Sequence, residues 1–283
     1  MRFALTVLLW LVTTVALAVA VPAGWAQLNI VDEDGYAAFA RKAAGDPALQ
    51  SAAAAELSTR AMALISAHGG GKHPVESAQV HEIAAAFTAG PSFPPLFADA
   101  NRAAHRYLFS AASSGDAWVI DLAPMLKDSA FEQVLSSHNV KVPATLTVPL
   151  TVSLPGQSVR QGQLSRVADW GPWVSLGAAV VSGFFGLLTL VVARRRGKAL
   201  TSLGVSALLV GAAGWVGIEV GGRYLAGALN DTTGDIRQIA DVMIRHAEAG
   251  MHFWLNLTLI AGVVFAGFGV LVAITGAVLG SKR

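Results

Sequence analysis

Four stretches of this chain, 3–26, 171–193, 199–218 and 251–280, run without a single Asp, Glu, Lys or Arg. An apolar run of about 20 residues is the length that crosses the hydrocarbon core of a bilayer as a helix. Helices are favoured there because their backbone groups bond internally. The fourth run is long enough to tilt or to project beyond the membrane. Only 13% of the residues are charged, against about 25% in ordinary soluble domains. That shortfall excludes a soluble enzyme of usual make-up, and the high apolar content excludes a disordered chain. There is no cysteine. Thiol catalysis, cysteine-ligated zinc, iron–sulfur clusters, disulfides and a lipoprotein anchor are therefore all excluded.

Orientation follows from lysine and arginine placement. Arg2, then Arg194, Arg195, Arg196 and Lys198, then Lys282 and Arg283 lie in the short segments flanking the runs, with no acid among them. Segment 27–169 holds ten basic and thirteen acidic residues, and loop 219–250 holds three and five. Both termini and the basic loop 194–198 are expected in the cytoplasm, with 27–169 and 219–250 on the far side. The basic pI is thus a topology signal and implies no nucleic acid. Trp25, Trp170, Trp173 and Trp254 fall at the expected outer ends of their spans, with Trp215 less than a turn away. Amphipathic rings prefer that interface. Ala18-Val19-Ala20 has the look of a signal-peptide cleavage site, but the first run outlasts a signal core of about 7–15 residues, so a retained anchor is expected.

Within the spans the polar groups read from the sequence are Ser, Thr and Asn256, with Glu219 and Arg223 expected to pair at the rim. Small residues recur at helical spacing instead. Gly262, Ala266, Gly269, Ala273, Gly276 and Gly280 form one seam of the fourth helix. Gly204, Ala207, Gly211, Gly214 and Gly217 form one on the third, and Ser175, Ala179 and Gly183 one on the second. Such seams let helices approach closely, either inside this bundle or against a partner.

Segment 27–169 reads as mostly helical. Asp46-Pro47 looks like a cap followed by proline at the first helical position, opening a helix that stops at Gly69-Gly70-Gly71. A second helix is expected over 75–88 and a third from Pro94 or Pro95 to about Ser113. Short strands are expected near 118–122, 145–148 and 151–152, with Pro143 and Pro149 confining the latter two to an edge or linker. A helical lead over 158–169 should enter the second span. In loop 219–250, Ile236, Ile239, Ala240, Met243 and Ile244 form the stripe of an amphipathic helix capped by Thr232, which Gly250 can end.

Chemistry is sparse. His68, His73, His81, His105, His138, His246 and His252 show no metal-binding spacing, and neither a G-x-S-x-G elbow nor a phosphate loop is present. Asp32-Glu33-Asp34 suits a helix N-terminal dipole better than a metal. The most distinctive polar cluster is Asp99, Asn101, Arg102, His105 and Arg106. On a helix, Asp99, Arg102 and Arg106 share one face and Asn101 and His105 the next, which can tie that helix to its domain. A partner contact or an anionic headgroup site is the alternative.

Asp46-Pro47-Ala48-Leu49-Gln50, the Phe97–His105 helix and the Val119–Pro124 segment together resemble motifs of a group of actinobacterial integral membrane proteins. The resemblance covers roughly residues 30–220, and that group has no established activity. In architecture the chain is also similar to LucB-type accessory subunits of mycobacterial Mce lipid-import complexes.

The expected fold is mainly α: a four-helix transmembrane bundle plus an α-rich, minor-β extracytoplasmic domain inserted between spans 1 and 2. The expected function is a non-enzymatic accessory or scaffold subunit of a cell-envelope complex in the plasma membrane, engaged in lipid transport. Its partners would be membrane lipids and other integral membrane subunits, with no cofactor and no metal. The competing expectation is a stand-alone membrane enzyme, or a lipid- or small-molecule-binding protein using the extracytoplasmic domain.

Overall fold

The computed structural model describes residues 2–68, 76–110, 119–137, 141–149, 153–154, 157–158, 162–193, 195–228 and 234–280. The described chain is almost entirely helical. It runs α1 (Arg2–Ala26), a π-helical turn (Gln27–Val31), α2 (Glu33–Ala43), α3 (Pro47–His68), α4 (Ser77–Thr88) and α5 (Phe93–Phe109). Then come β1 (Val119–Asp121), α6 (Ala123–Leu126), α7 (Ser129–Ser137), β2 (Thr147–Pro149), β3 (Ser153–Leu154) and β4 (Gln157–Ser158). The long helices α8 (Ser165–Val192), α9 (Arg196–Ala228) and α10 (Gly234–Gly280) complete it. Four helices are long and apolar enough to cross a membrane, within Ala4–Val31, Ser165–Val192, Arg196–Tyr224 and Gly234–Thr275. The chain divides into two compact units: Met1–Leu28 with Asp169–Arg223 and Ala247–Arg283, and Asn29–Ala168 with Tyr224–His246.

The second unit is a helical domain. Asp46 opens α3 as the sequence suggests, its Oδ1 accepting the Ala48 N–H at 2.8 Å. Leu49, Ala53, Leu57 and Ala61 then recur on one buried face, the spacing of an amphipathic helix. They share a core with Val80, Ala84 and Phe87 of α4, Phe93 and Phe97 of α5, and Leu126, Phe131 and Leu135 beyond. At the centre, Phe87 meets Phe93 and Phe131 edge-on, with ring centroids 5.9 and 5.4 Å apart. Edge-to-face contacts of this kind add to burial through the ring quadrupoles. β1 and β2 pair antiparallel, Ile120 opposite Val148. Asp121 anchors that ribbon by accepting from Ala123 N at 2.9 Å and Leu146 N at 2.8 Å. Gly162 takes a left-handed φ of 65° where the chain leaves the strands, and its N–H donates to the Tyr107 carbonyl.

Several sequence boundaries shift. The lead into α8 is not helical from 158: Gln157 and Ser158 are strand, and the helix starts at Ser165. α9 begins at Arg196, inside the expected basic loop, and runs ten residues past Ile218. The amphipathic stretch and the fourth span form one helix, so Gly250 ends nothing. A methyl group at Gly250 would stand 3.1 Å from Trp25 Nε1. Glycine therefore serves close approach of the indole here, at a propensity cost of about 1 kcal/mol that a long helix tolerates. Ile236, Ile239, Val242 and Met243 of α10 pack on the core of the helical domain. Glu219 and Arg223 are both exposed, and no ion pair joins them among the described residues. The third helix starts at Phe93, just before the expected prolines, and ends at Phe109, short of Ser113, because Ser110 is already extended. The Gly69–Gly71 stop, the Thr232 cap and the 151–152 strand lie outside the described residues.

The first unit is the bundle of apolar helices. α9 and α10 meet along their small-residue seams. A methyl group at Gly204 would stand 2.6 Å from the Gly262 carbonyl oxygen, and one at Gly197 2.7 Å from that of Gly269. At Gly211 it would meet the Leu259 side chain at 2.6 Å. These glycines place one backbone against the other, the arrangement that replaces hydrophobic driving force in lipid. α1 joins α9 through Trp10 Nε1–H donating to Ser202 O at 2.9 Å and through Thr14 Oγ1 and Ser206 Oγ at 2.8 Å. α8 touches α1 at Gly186, beside Thr13.

Candidate functional site

The richest polar constellation joins α2 and α5. Proline at the start of α5 pre-sets its first turn. Phe93, Phe97, Ala100 and Ala104 turn to the core, which leaves Asp99, Arg102 and Arg106 on the opposite side. On α2, Asp32 caps the helix by accepting the Gly35 N–H at 2.7 Å. Glu33 and Asp34 occupy the first turn, where the dipole favours carboxylates. Arg102 Nη2 donates to Asp34 at 2.9 Å and Nη1 to Asp99 at 3.0 Å, while its Nε lies 3.5 Å from Glu33. Arg106 Nε donates to the same Glu33 oxygen at 3.0 Å. The network is open to solvent, Asp34 being 89% exposed, so each pair contributes little, on the order of 0–1 kcal/mol. Chemically it is a clamp: the guanidinium groups are already turned to carboxylates.

Beneath it lies a buried aromatic and polar layer. Asn101 and His105 are 6% and 5% exposed. Asn101 Nδ2 donates to Phe97 O at 2.9 Å, and Tyr36 Oη approaches Asn101 Oδ1 at 3.4 Å. His105 Nε2 donates to the carbonyl of Ile30, in the π-helical turn, at 2.9 Å. Its ring stacks on Phe109 with centroids 4.2 Å apart and packs against Tyr36 at 5.2 Å. Its Nδ1 is buried without a hydrogen-bond partner. The five residues singled out from the sequence are thus brought together, split between an exposed clamp and a buried layer that bonds to the Ile30 carbonyl. The sequence reading left out Tyr36, and it did not pair Glu33 or Asp34 with the arginines. Those partners lie more than sixty positions away, where helical periodicity carries no signal.

Burial pushes the Tyr36 phenol up from 10 to about 12. A raised phenol stays neutral in the fold while the unfolded chain ionises, so stability is full below pH 10 and falls as pH rises from there towards 12. Phenolate absorbance should therefore show one late-ionising tyrosine, and Tyr36→Phe should remove that component. A titration with no late component in the native protein would contradict the packing described here.

A second polar group sits in the bundle. His252 of α10 stacks on Trp215 of α9 with ring centroids 3.8 Å apart, and Trp215 Nε1 donates to Asn256 at 3.1 Å. His252 was not counted among the span's polar groups in the sequence reading, because an isolated histidine carries no motif. Its Nε2, and Oε1 of Gln27, are buried without a partner. Of the seams, Gly204, Gly211, Gly262, Ala266, Gly269 and Ala273 are spent between α9 and α10. Gly276 belongs to α10 as expected. Gly183 of α8 and Gly217 of α9 are different: nothing lies within 4 Å of where a Cβ would stand on either. Among the described residues no group of three or more His, Cys, Asp or Glu could hold a metal.

No protein-family model, curated protein or solved structure matches the chain. The site must be interpreted from its own geometry.

Proposed function

We propose that this chain is a non-enzymatic accessory or scaffold subunit of an actinobacterial cell-envelope complex engaged in lipid transport. In this reading it lies in the plasma membrane with both termini cytoplasmic, the helical domain facing outward, and other integral membrane subunits as partners. One observation carries the proposal, the uncommitted face of α8. While α9 meets α10 at Gly197, Gly204, Gly211 and Gly214 and leaves Gly217 open, Ala179 and Gly183 of α8 remain exposed and Gly183 meets nothing. Leu176, Val180, Phe184 and Leu187 beside them are 57–62% exposed. A helix that keeps a small-residue face open amid exposed apolar side chains is suited to receive a helix from another chain. The basic residues Arg195, Arg196 and Lys198 at the α8–α9 junction support the orientation.

Affinity purification in mild detergent tests the proposal. The tagged wild-type protein should recover a transporter's permease or substrate-binding subunits in stoichiometric amount. Gly183→Leu, which fills the open seam, should lose them while remaining folded. A monodisperse particle of this chain alone, across several detergents, would overturn the reading.

A further inference from the structure

We infer that the junction of α8 and α9 binds the headgroup of an anionic phospholipid, with the lipid's chains lying along α9. α8 ends at Val192 and α9 begins at Arg196. Arg194, Arg195, Arg196 and Lys198 crowd this turn. Arg195, Arg196 and Lys198 are exposed, and none of the three makes an ion pair among the described residues. A cluster of four cations beside a membrane span is the pattern that draws anionic headgroups.

The bundle itself supplies no counter-charge at this level. No Asp or Glu occurs in 1–31, 170–218 or 249–283. Glu219, the next acid along α9, stands ~32 Å from Lys198 at the helical rise of about 1.5 Å per residue. On α10, Glu248 stands ~38 Å by the same rise from Ala273, the backbone neighbour of Gly197. The negative charge that answers these cations must therefore come from outside the bundle. A zwitterionic headgroup carries its own cation beside the phosphate, whereas an anionic one presents its phosphate alone.

The cations are held on an ordered turn. Gly197, between Arg196 and Lys198, is buried against the backbone of α10. Thr201 Oγ1 donates to its carbonyl at 3.0 Å, and Ala199 N donates to Arg195 O at 3.2 Å. Lys198 also heads a lipid-facing stripe. Val205, Leu209 and Val216 follow it at helical spacing and are 40%, 52% and 65% exposed. From Lys198 to Leu209 the helix rises ~16 Å, about half of a hydrocarbon core of ~30 Å. One leaflet's depth of apolar surface thus lies directly beneath unpaired positive charge, the complement of an anionic phospholipid. In the orientation proposed above this is the cytoplasmic leaflet. The inference needs only that the bundle lies in a bilayer, and it does not depend on the docking of α8.

The test is native mass spectrometry of the full-length protein in detergent, titrated with phosphatidylglycerol or with phosphatidylcholine of the same chains. The wild type should bind its first phosphatidylglycerol about tenfold more tightly, since each cation near an anionic headgroup contributes a few-fold. That margin should shrink as ammonium acetate rises from ~0.1 to ~1 M, because screening shortens the reach of the charges. Arg195→Gln with Lys198→Gln should bring phosphatidylglycerol down to the phosphatidylcholine level. Lys198→Gln alone gives the same direction with a smaller loss if the double variant does not fold. Arg41→Gln with Lys42→Gln removes the same charge from exposed positions of α2 and should leave the preference intact. Equal losses in the two double variants would reduce the effect to net charge and overturn the site. A wild type without preference, or with a preference indifferent to salt, would overturn it as well. Glycerol phosphate at the lipid's concentration should displace nothing, and displacement would assign the turn to free phosphates instead. Absence of the lipid preference together with co-purifying subunits would sink this site and leave the docking reading standing.

Discussion

Gly204→Leu is expected to cost the bundle about 2–3 kcal/mol. Gly204 faces the backbone of Gly262 and Ala266 so closely that even a methyl group would stand 2.6 Å from the Gly262 carbonyl oxygen. Backbone cannot rotate aside as a long side chain can, so α9 and α10 must separate along the seam. The lost close contacts then have no compensating burial, because lipid is as apolar as the leucine. Denaturant unfolding of the purified protein in detergent measures the effect. Gly183→Leu is the paired control: with open space at that position, stability of the isolated chain should stay within about 0.5 kcal/mol of wild type. Equal losses from the two substitutions would show that the α9–α10 contact is not what holds the bundle.

In the helical domain the corresponding expectation concerns Phe93. It is 0% exposed and contacts Phe87 and Phe97 with centroids 5.9 and 5.5 Å away. Phe93→Ala should destabilise the domain by about 3–5 kcal/mol, combining lost transfer free energy with the cavity left among α4, α5 and α7. Hydrogen exchange of the α4 and α5 amides would register it as loss of protection. Phe253→Ala, at a position 61% exposed, should leave the same amides unchanged. Unaltered exchange in Phe93→Ala would contradict the placement of this ring at the centre of the core.

Much of this architecture was legible because it rests on local chemistry. Uncharged runs mark the long apolar helices, and Asp46-Pro47 marks the start of α3, since both signals act within one or two turns. Boundaries were less legible. Gly250 reads as a stop by propensity, yet the neighbour that requires a glycine there is Trp25, more than two hundred positions earlier. The ten residues of α9 past Ile218 contain Gly221 and Gly222, which look like breakers. In the fold the Glu248 carboxylate lies against Gly222, so that glycine too answers to a neighbour. The clamp shows the same division. Asp99, Arg102 and Arg106 fall on one face by helical spacing alone, while their partners Glu33 and Asp34 come from another helix. Small-residue seams were visible as seams, but which would be filled was not. That depends on the facing helix, and only the structure separates spent Gly204 and Gly262 from open Gly183.

Crosslinking from Gly183 in native membranes tests whether α8 receives another membrane subunit. A photoreactive amino acid placed at 183 should, on irradiation, join this chain to a distinct integral membrane polypeptide. The same group at Leu271 of α10, 62% exposed, should yield lipid adducts instead. Crosslinks from 183 to lipid alone, matching those from 271, would contradict the account.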